Sequence, residues 1–367
     1  MSLTCIEVVQ ELREILEENE SWSMMLEDSI QEATKKGRDL RVRNADKWPS
    51  TLIEYFAYLR DLCHWRPIET YPREIFDRLA TFYWLLDQPS GRELQKSEEF
   101  NKWMRDFANS WGDYLNTTDS IDEETIKTFQ ADPDFNLDEY QVMPSGWLTF
   151  NQFFAREMKP GLRPVAGMFQ DSIITSPADS TFKEKFHITP KSEIVVKHTH
   201  KYRVQDLLEG SPFKERFHGG VFMHAFLGPK DYHRFHAPVR GTVVECRAIQ
   251  QNVTLDVVLK QDEVTGEWRL DAPDGTGYQF AQTRGVIIFD SPIGLVAVLP
   301  IGMAQVSSVN MTAVEGSYLN KGDEFGFFMF GGSDIILLFE AQSDVIVSSA
   351  PGIHYNVGMC IAEVRGL

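Results

Sequence analysis

Apolar positions over the first 140 residues recur at three- and four-residue spacings, the repeat that gathers them on one side of an α-helix. The pattern predicts helices over 5–18, 51–63, 71–86 and 100–115, and Phe56, Tyr58, Leu59, Leu62 and Trp65 make one such face. Prolines at 49, 67, 72 and 89 punctuate these segments. From about residue 141 the repeat changes. After a short helical stretch at 148–158, the chain breaks into brief apolar, β-branched runs at 173–175, 193–196, 220–227, 242–249, 253–259, 286–289, 295–301, 335–339 and 344–347. Turn formers separate them: Asp274-Gly275, Asn320-Lys321-Gly322-Asp323 and Ser349-Ala350-Pro351-Gly352. The expected class is α+β: a helical N-terminal domain over 1–140, then a β-rich domain of barrel or sandwich type over 141–367, with 131–143 as the linker.

The chain of 367 residues is long enough for two such cores. Its net charge of −18 argues against sequence-independent nucleic-acid binding, which needs a basic footprint. The acid is concentrated at the front: residues 1–140 hold 30 acidic and 16 basic side chains, residues 141–367 hold 24 and 20. No run approaches the roughly 20 apolar residues that span a bilayer. The start, Met1-Ser2-Leu3-Thr4-Cys5-Ile6-Glu7, lacks the basic and apolar regions of a secretory signal. Cys5, Cys63, Cys246 and Cys360 are scattered, which argues against a zinc ribbon or a disulfide scaffold and fits a reducing compartment. The expected location is cytoplasmic, soluble or peripherally attached to a membrane.

Candidate chemistry is concentrated in three short segments. Ser176-Pro177-Ala178-Asp179-Ser180 follows a predicted strand, Asp231-Tyr232-His233-Arg234-Phe235-His236-Ala237-Pro238 carries two histidines, and Phe330-Gly331-Gly332-Ser333-Asp334 leads into an apolar run. Singly, each reads as a turn, a loop or a cap. Together they hold an Asp, two His and a Ser, the ingredients of a nucleophile, a base and an orienting group. A glycine at 332 lets its carbonyl approach the Ser333 hydroxyl without a Cβ in the way. His198-Thr199-His200 would put two histidines on one strand face, with His224 as a third, but no acidic ligand lies at recognisable spacing, and no metal site is expected.

These segments resemble the phosphatidylserine decarboxylase family. The similarity rests on Phe153-Phe154-Ala155-Arg156-Glu157-Met158-Lys159-Pro160-Gly161-Leu162-Arg163-Pro164, on Ser176–Asp179, on Tyr232-His233-Arg234-Phe235-His236-Ala237-Pro238, and on the run from Leu319 through Lys321-Gly322-Asp323-Glu324-Phe325-Gly326 to Gly332-Ser333 and Phe339-Glu340. The matches keep the family's order over about 147–341. The resemblance implies a self-processing zymogen and a carboxy-lyase. Ser333 would attack the Gly332 carbonyl and turn the amide into an ester, with His236 as base and Asp179 as its orienting partner. β-Elimination would then leave chains 1–332 and 333–367, the second capped by a pyruvoyl group made from Ser333. That group would form a Schiff base with a substrate amine and release CO2, with His233 acting in the decarboxylation step and no metal or pyridoxal phosphate required. Phe328 and Phe330 are candidate substrate-binding residues. A homodimer is a common family state.

The implied default substrate is phosphatidylserine, giving phosphatidylethanolamine in phospholipid biosynthesis. The alternative is a free L-amino acid such as an aromatic one, because the acidic helical N-terminal region and the stretch from Gly302-Met303 are similar to soluble, tryptophan-type relatives. An anionic leaflet attracts basic surfaces, and only 37–47 is a local basic cluster in this acidic region. Asp334 also departs from the family's usual Ser or Thr. Three other readings are a carrier hairpin at 314–323 built around Lys321, a serine hydrolase, and an unprocessed scaffold. The first lacks the context of a modifiable lysine, and the second lacks a G-x-S-x-G elbow.

Overall fold

A computed structural model describes residues 3–197, 199–273, 275–302, 309–331 and 333–366. Eight helices precede the main sheet: α1 Cys5–Glu18, α2 Glu20–Asp39, α3 Leu52–Cys63, α4 Glu74–Leu86, α5 Pro89–Leu94, α6 Glu98–Leu115, α7 Glu123–Gln130 and α8 Phe150–Phe154. Local chemistry sets several starts. Thr4 and Glu7 form a capping box on α1, and Thr51, Ser97, Asp122 and Thr149 accept backbone N–H groups at the starts of α3, α6, α7 and α8. Helix α2 was not foreseen. Its inward side is Leu26, Ser29, Ile30, Ala33, Thr34 and Gly37, a face too poor in large apolar residues to register as periodic. Ser29 and Thr34 instead donate to the carbonyls of Leu85 (2.7 Å) and Pro49 (2.6 Å), and Gly37 lies under the Trp48 ring, where a Cβ would meet ring carbon at 2.2 Å.

The β-rich part is built on an eight-stranded antiparallel sheet. Its spatial order is Tyr318–Leu319, Gly241–Ile249, Arg284–Ser291, Gly294–Gly302, Ser333–Phe339, Val221–Leu227, Ser180–His187, His354–Tyr355. The sheet is open. Among the described residues the sheets do not close into a barrel, and the large sheet ends at each edge in a two-residue strand. Two three-stranded sheets flank it, Ile173–Thr175 with Cys360–Val364 and Val345–Val347, and Val309–Met311 with Glu324–Phe328 and Arg234–His236.

Strand alternation divides the interior. Ile335, Leu337 and Phe339 join a buried cluster that also takes in Trp103, Phe107 and Trp111 of α6, while Ile336 and Leu338 join a second cluster on the opposite face with Val204, Leu207 and Phe217. The 131–143 segment, read as a linker, is packed: Phe135 lies against Phe129 (5.0 Å between ring centroids) and Tyr140 against Tyr232 (6.2 Å). Cys5 and Cys63 are disulfide-bonded, a single link rather than a disulfide scaffold. Packing of α1 against α3 brings the two Cα atoms to 5.6 Å across 58 residues of sequence, a pairing no local spacing announces, and cysteine usage no longer argues for a reducing compartment.

Phe330 ties the helices to the segment before Ser333. Its ring stands edge-on to Phe150 (5.0 Å), Phe154 (5.2 Å), Trp111 (5.5 Å) and Trp65 (6.5 Å), and its N–H donates to Asn151 Oδ1 at 3.1 Å. Removing this ring leaves a cavity bounded by four aromatic residues. Phe330→Ala is expected to destabilise the fold by about 3–5 kcal/mol, read as a lower urea midpoint at unchanged m-value.

Candidate active site

Ser333 begins a strand in which all seven residues are buried. It pairs with Gly302 on one side and Leu227 on the other. Its hydroxyl is fully buried and has no hydrogen-bond partner among the described residues. Gly332, the expected acyl donor, lies outside the described residues, as do His198 and 303–308.

The two histidines sit differently. His233 is fully buried, its ring lies 3.9 Å from that of Phe154, and neither ring nitrogen has a partner among the described residues. Burial, with the nearby Arg156 cation, pushes its pKa well below the ordinary value, so the ring is neutral at pH 7. His236 is less enclosed. Its Nδ1–H donates to the Gly322 carbonyl at 2.9 Å, which leaves Nε2 as the acceptor of the Tyr232 hydroxyl at 3.1 Å. Burial lowers its pKa too, opposed by the Gly322 bond and by Glu324 and Asp179.

Asp179 is not hydrogen-bonded to His236 among these contacts. Both imidazole nitrogens of His236 are engaged elsewhere, and Asp179 acts on it only through space. The Asp179 carboxylate instead accepts from Arg163 Nε (3.1 Å to each oxygen), from an Arg163 terminal nitrogen (2.6 Å) and from the Val357 N–H (2.7 Å). The pair is almost shut off from water, with side chains 12% and 5% exposed. Nor is Ser333 hydrogen-bonded to His236. What the fold does join is the backbone around them. The His236 N–H donates to the Pro177 carbonyl (2.7 Å), the Phe328 N–H to the His233 carbonyl (2.8 Å), and Phe154 touches both His233 and Phe330.

Two arginines brace these segments, and neither stood out in the sequence as a site residue although both lie in the Phe153–Pro164 run. Arg163 holds Asp179. Arg156, fully buried, donates to the carbonyls of Lys230 (2.8 Å) and Asp231 (3.3 Å) and covers the Tyr140 ring at 4.2 Å, fixing the approach to His233. The candidate substrate residues Phe328 and Phe330 are both buried in the uncut chain, Phe328 against Phe235 at 5.0 Å. Lys321 is no exposed carrier lysine: it is buried, and its ammonium donates to the carbonyls of Gly167, Gln170 and Ile173 at 2.6–2.8 Å.

Comparison with known proteins gives this arrangement a context. A family model of phosphatidylserine decarboxylase matches residues 150–363, and a second model of the same description matches 6–128. Phosphatidylserine decarboxylase proenzyme 2 of Oryza sativa subsp. japonica is 33% identical over 234 residues, covering 61% of this chain and 35% of its own, so the chain spans about a third of that relative's length. Phosphatidylserine decarboxylase proenzyme of Chlamydia muridarum is 33% identical over 220 residues, 58% of this chain and 67% of its own. Decarboxylase iboD of Amanita muscaria is 28% identical over 328 residues, 77% of this chain and 90% of its own. No described helix is long and apolar enough to cross a membrane. With the matched region covering the strand of Ser333, both histidines and both bracing arginines, the chain belongs to the phosphatidylserine decarboxylase family.

Proposed function

We propose that this chain is a proenzyme that cuts itself before Ser333 and then decarboxylates an amino-acid carboxylate, phosphatidylserine being the default substrate. The observation that carries the reading is the Ser333 hydroxyl. A buried hydroxyl with no partner costs about 1–3 kcal/mol, and this one lies in the matched region where the family resemblance puts the self-cleavage serine. Its oxygen adds to the preceding carbonyl carbon, the C–N bond breaks to an ester, and β-elimination releases the upstream chain as a carboxylate. The nitrogen left on residue 333 departs as ammonia, with oxygen supplied by water. The resulting pyruvoyl carbonyl supplies an electron sink for the carboxylate that leaves as CO2.

The chain's own groups supply the proton handling. His236 is neutral and presents an Nε2 lone pair, the property a base needs. His233 is neutral, desolvated and uncommitted, which suits a later proton transfer at the substrate carbon. Asp179 and Arg163 keep the loop at 176–179 in place beside His236. A free amino acid is kept as the second substrate reading for one observation: the Amanita relative, named simply a decarboxylase, aligns over most of both chains. Proposed with it are a domain division near residue 140, peripheral rather than spanning membrane contact, and a homodimer.

Intact mass under denaturing conditions checks the first stage. The expected products are chains 1–332 and 333–367, whereas Ser333→Ala should remain one chain without decarboxylase activity, and a cut Ser333→Ala chain would remove Ser333 from the chemistry. CO2 release from phosphatidylserine vesicles against free L-amino acids then separates the substrates. Because the pKa of His236 lies below its ordinary value of about 6.5, its base form is present at neutral pH and is lost on acidification. The self-cleavage rate is expected to be flat above that value and to fall below it; a rate still climbing beyond pH 8 would assign the base to another group. Arg163→Met should cost about 3–5 kcal/mol by stranding a buried carboxylate. Adding Asp179→Asn should recover much of that in urea unfolding.

A further inference from the structure

Asp334 lies next to the scissile position, yet its side chain points away from the Ser333 side chain. By the alternation along Ser333–Phe339, Ser333 faces the helices with Ile335 and Leu337, while Asp334 faces the opposite cluster with Ile336 and Leu338. There it is fully buried in a polar knot. Its Oδ2 accepts from the Tyr278 hydroxyl and from Gln279 Nε2 at 3.1 Å, and His224 Nε2 lies 3.2 Å from Oδ1, close but without hydrogen-bond alignment. His224 is in turn set by Gln279 Nε2 (3.1 Å) and by Thr276 Oγ1 at Nδ1 (3.2 Å). Thr276, Gln279 and His224 are all buried. A carboxylate in such a place is costly unless it is held, and here Tyr278 and Gln279 both donate to Oδ2, while Oδ1 has no hydrogen-bond partner among the described residues. The backbone of Asp334 pairs with Phe226 on one side and Ile301 on the other.

Self-cleavage changes what residue 333 can do. Conversion of Ser333 to a pyruvoyl end removes its nitrogen, so that position loses its N–H donor and its covalent tether together. New chain ends fray unless something ties them down. Residue 334 becomes the first with a full set of backbone groups. We infer that Asp334 is a positioning residue: gripped by Tyr278 and Gln279 from behind the sheet, it anchors the new end of chain 333–367 in its strand, so that residue 333 keeps its place after the cut. This rests on the self-cleavage proposed above, and Asp334 touches no reacting atom.

The test is hydrogen exchange of the peptide containing residues 334–339, compared in cut and uncut protein. In the cut protein, Asp334→Ala is expected to speed exchange at 335–337 by about ten-fold or more, and Asp334→Asn, which keeps the shape and one acceptor, should restore most of the protection. In the uncut Ser333→Ala background the same Asp334→Ala change should alter exchange by less than about three-fold, because the continuous chain still tethers the strand. Equal acceleration in both backgrounds would make Asp334 an ordinary core contact and overturn the inference, as would no acceleration in the cut protein. Should Asp334→Ala fail to fold or to cut, Tyr278→Phe removes a single hydroxyl and supports the same comparison. A wild-type chain that stays whole sinks the self-cleavage reading and this inference with it; a wild-type chain that cuts, with unchanged exchange in the variants, sinks the inference alone.

Discussion

Burial of the Ser333–Phe339 strand at the centre of the sheet is the constraint on which the rest of the structure depends. A strand held on both sides by Gly294–Gly302 and Val221–Leu227 keeps its ladder contacts beyond its first residues without the peptide bond at its own start. Its core is already fixed by five apolar residues, Ile335 to Phe339, whose side chains feed two apolar clusters. Such a strand tolerates a chain break at its end, where a surface loop would simply swing away. The same burial excludes water from the hydroxyl that the proposed chemistry uses. Amide-to-ester conversion in a dry site meets less competition from hydrolysis than in an open one.

Burial also dictates how charge is arranged nearby. Arg156 and Arg163 are cations in largely dry surroundings: Arg163 is matched to the Asp179 carboxylate, while Arg156 donates through one terminal nitrogen to two backbone carbonyls and its other two nitrogens have no partner among the described residues. Planar guanidinium groups suit this work because they make several directed bonds at once. The imidazoles of His233 and His236 are neutral for the opposite reason. Nothing close enough and negative enough outweighs their desolvation, so both pKa values fall. Fixed charge is therefore kept in the frame, and the groups with a proton to move remain uncharged.

The helical face of α6 and most of the short apolar strands were legible because residue spacing determines them; the run at 253–259 was not, since its strand spans only Val258–Gln261. The chemistry-bearing segments were legible because they keep the order of a family pattern. What could not be read were partners. The ring of His236 is oriented by the carbonyl of Gly322, a group every residue carries and no side chain announces. Asp179 looked like an orienting group for a histidine, yet a stronger and bidentate partner, Arg163, lies in a motif sixteen residues earlier. Helix α2 escaped because its interface is made of Ser29, Thr34 and Gly37, where close approach and hydrogen bonds to carbonyls replace large side chains. The link between Cys5 and Cys63 needed the packing of two helices before it had any meaning.

The contacts of His236 bear on the order of events. Its Nδ1–H is committed to Gly322, so proton uptake has to occur at Nε2, and Nε2 receives the Tyr232 hydroxyl in the uncut chain. Burial raises the pKa of Tyr232, so this hydroxyl remains a donor and cannot itself serve as the base. Its ring is tilted against Tyr140 at 6.2 Å and stacked on His236 at 5.6 Å. In the proposed role of His236, the base would be fully formed but capped, and it would become available to a serine only by exchanging one neutral hydroxyl partner for another. That exchange alters no net charge in a buried site, so it avoids the desolvation cost that a charged cap would impose on release. An aspartate in the place of Tyr232 would have raised the affinity of Nε2 for its proton; a phenol leaves the base weak, neutral and ready.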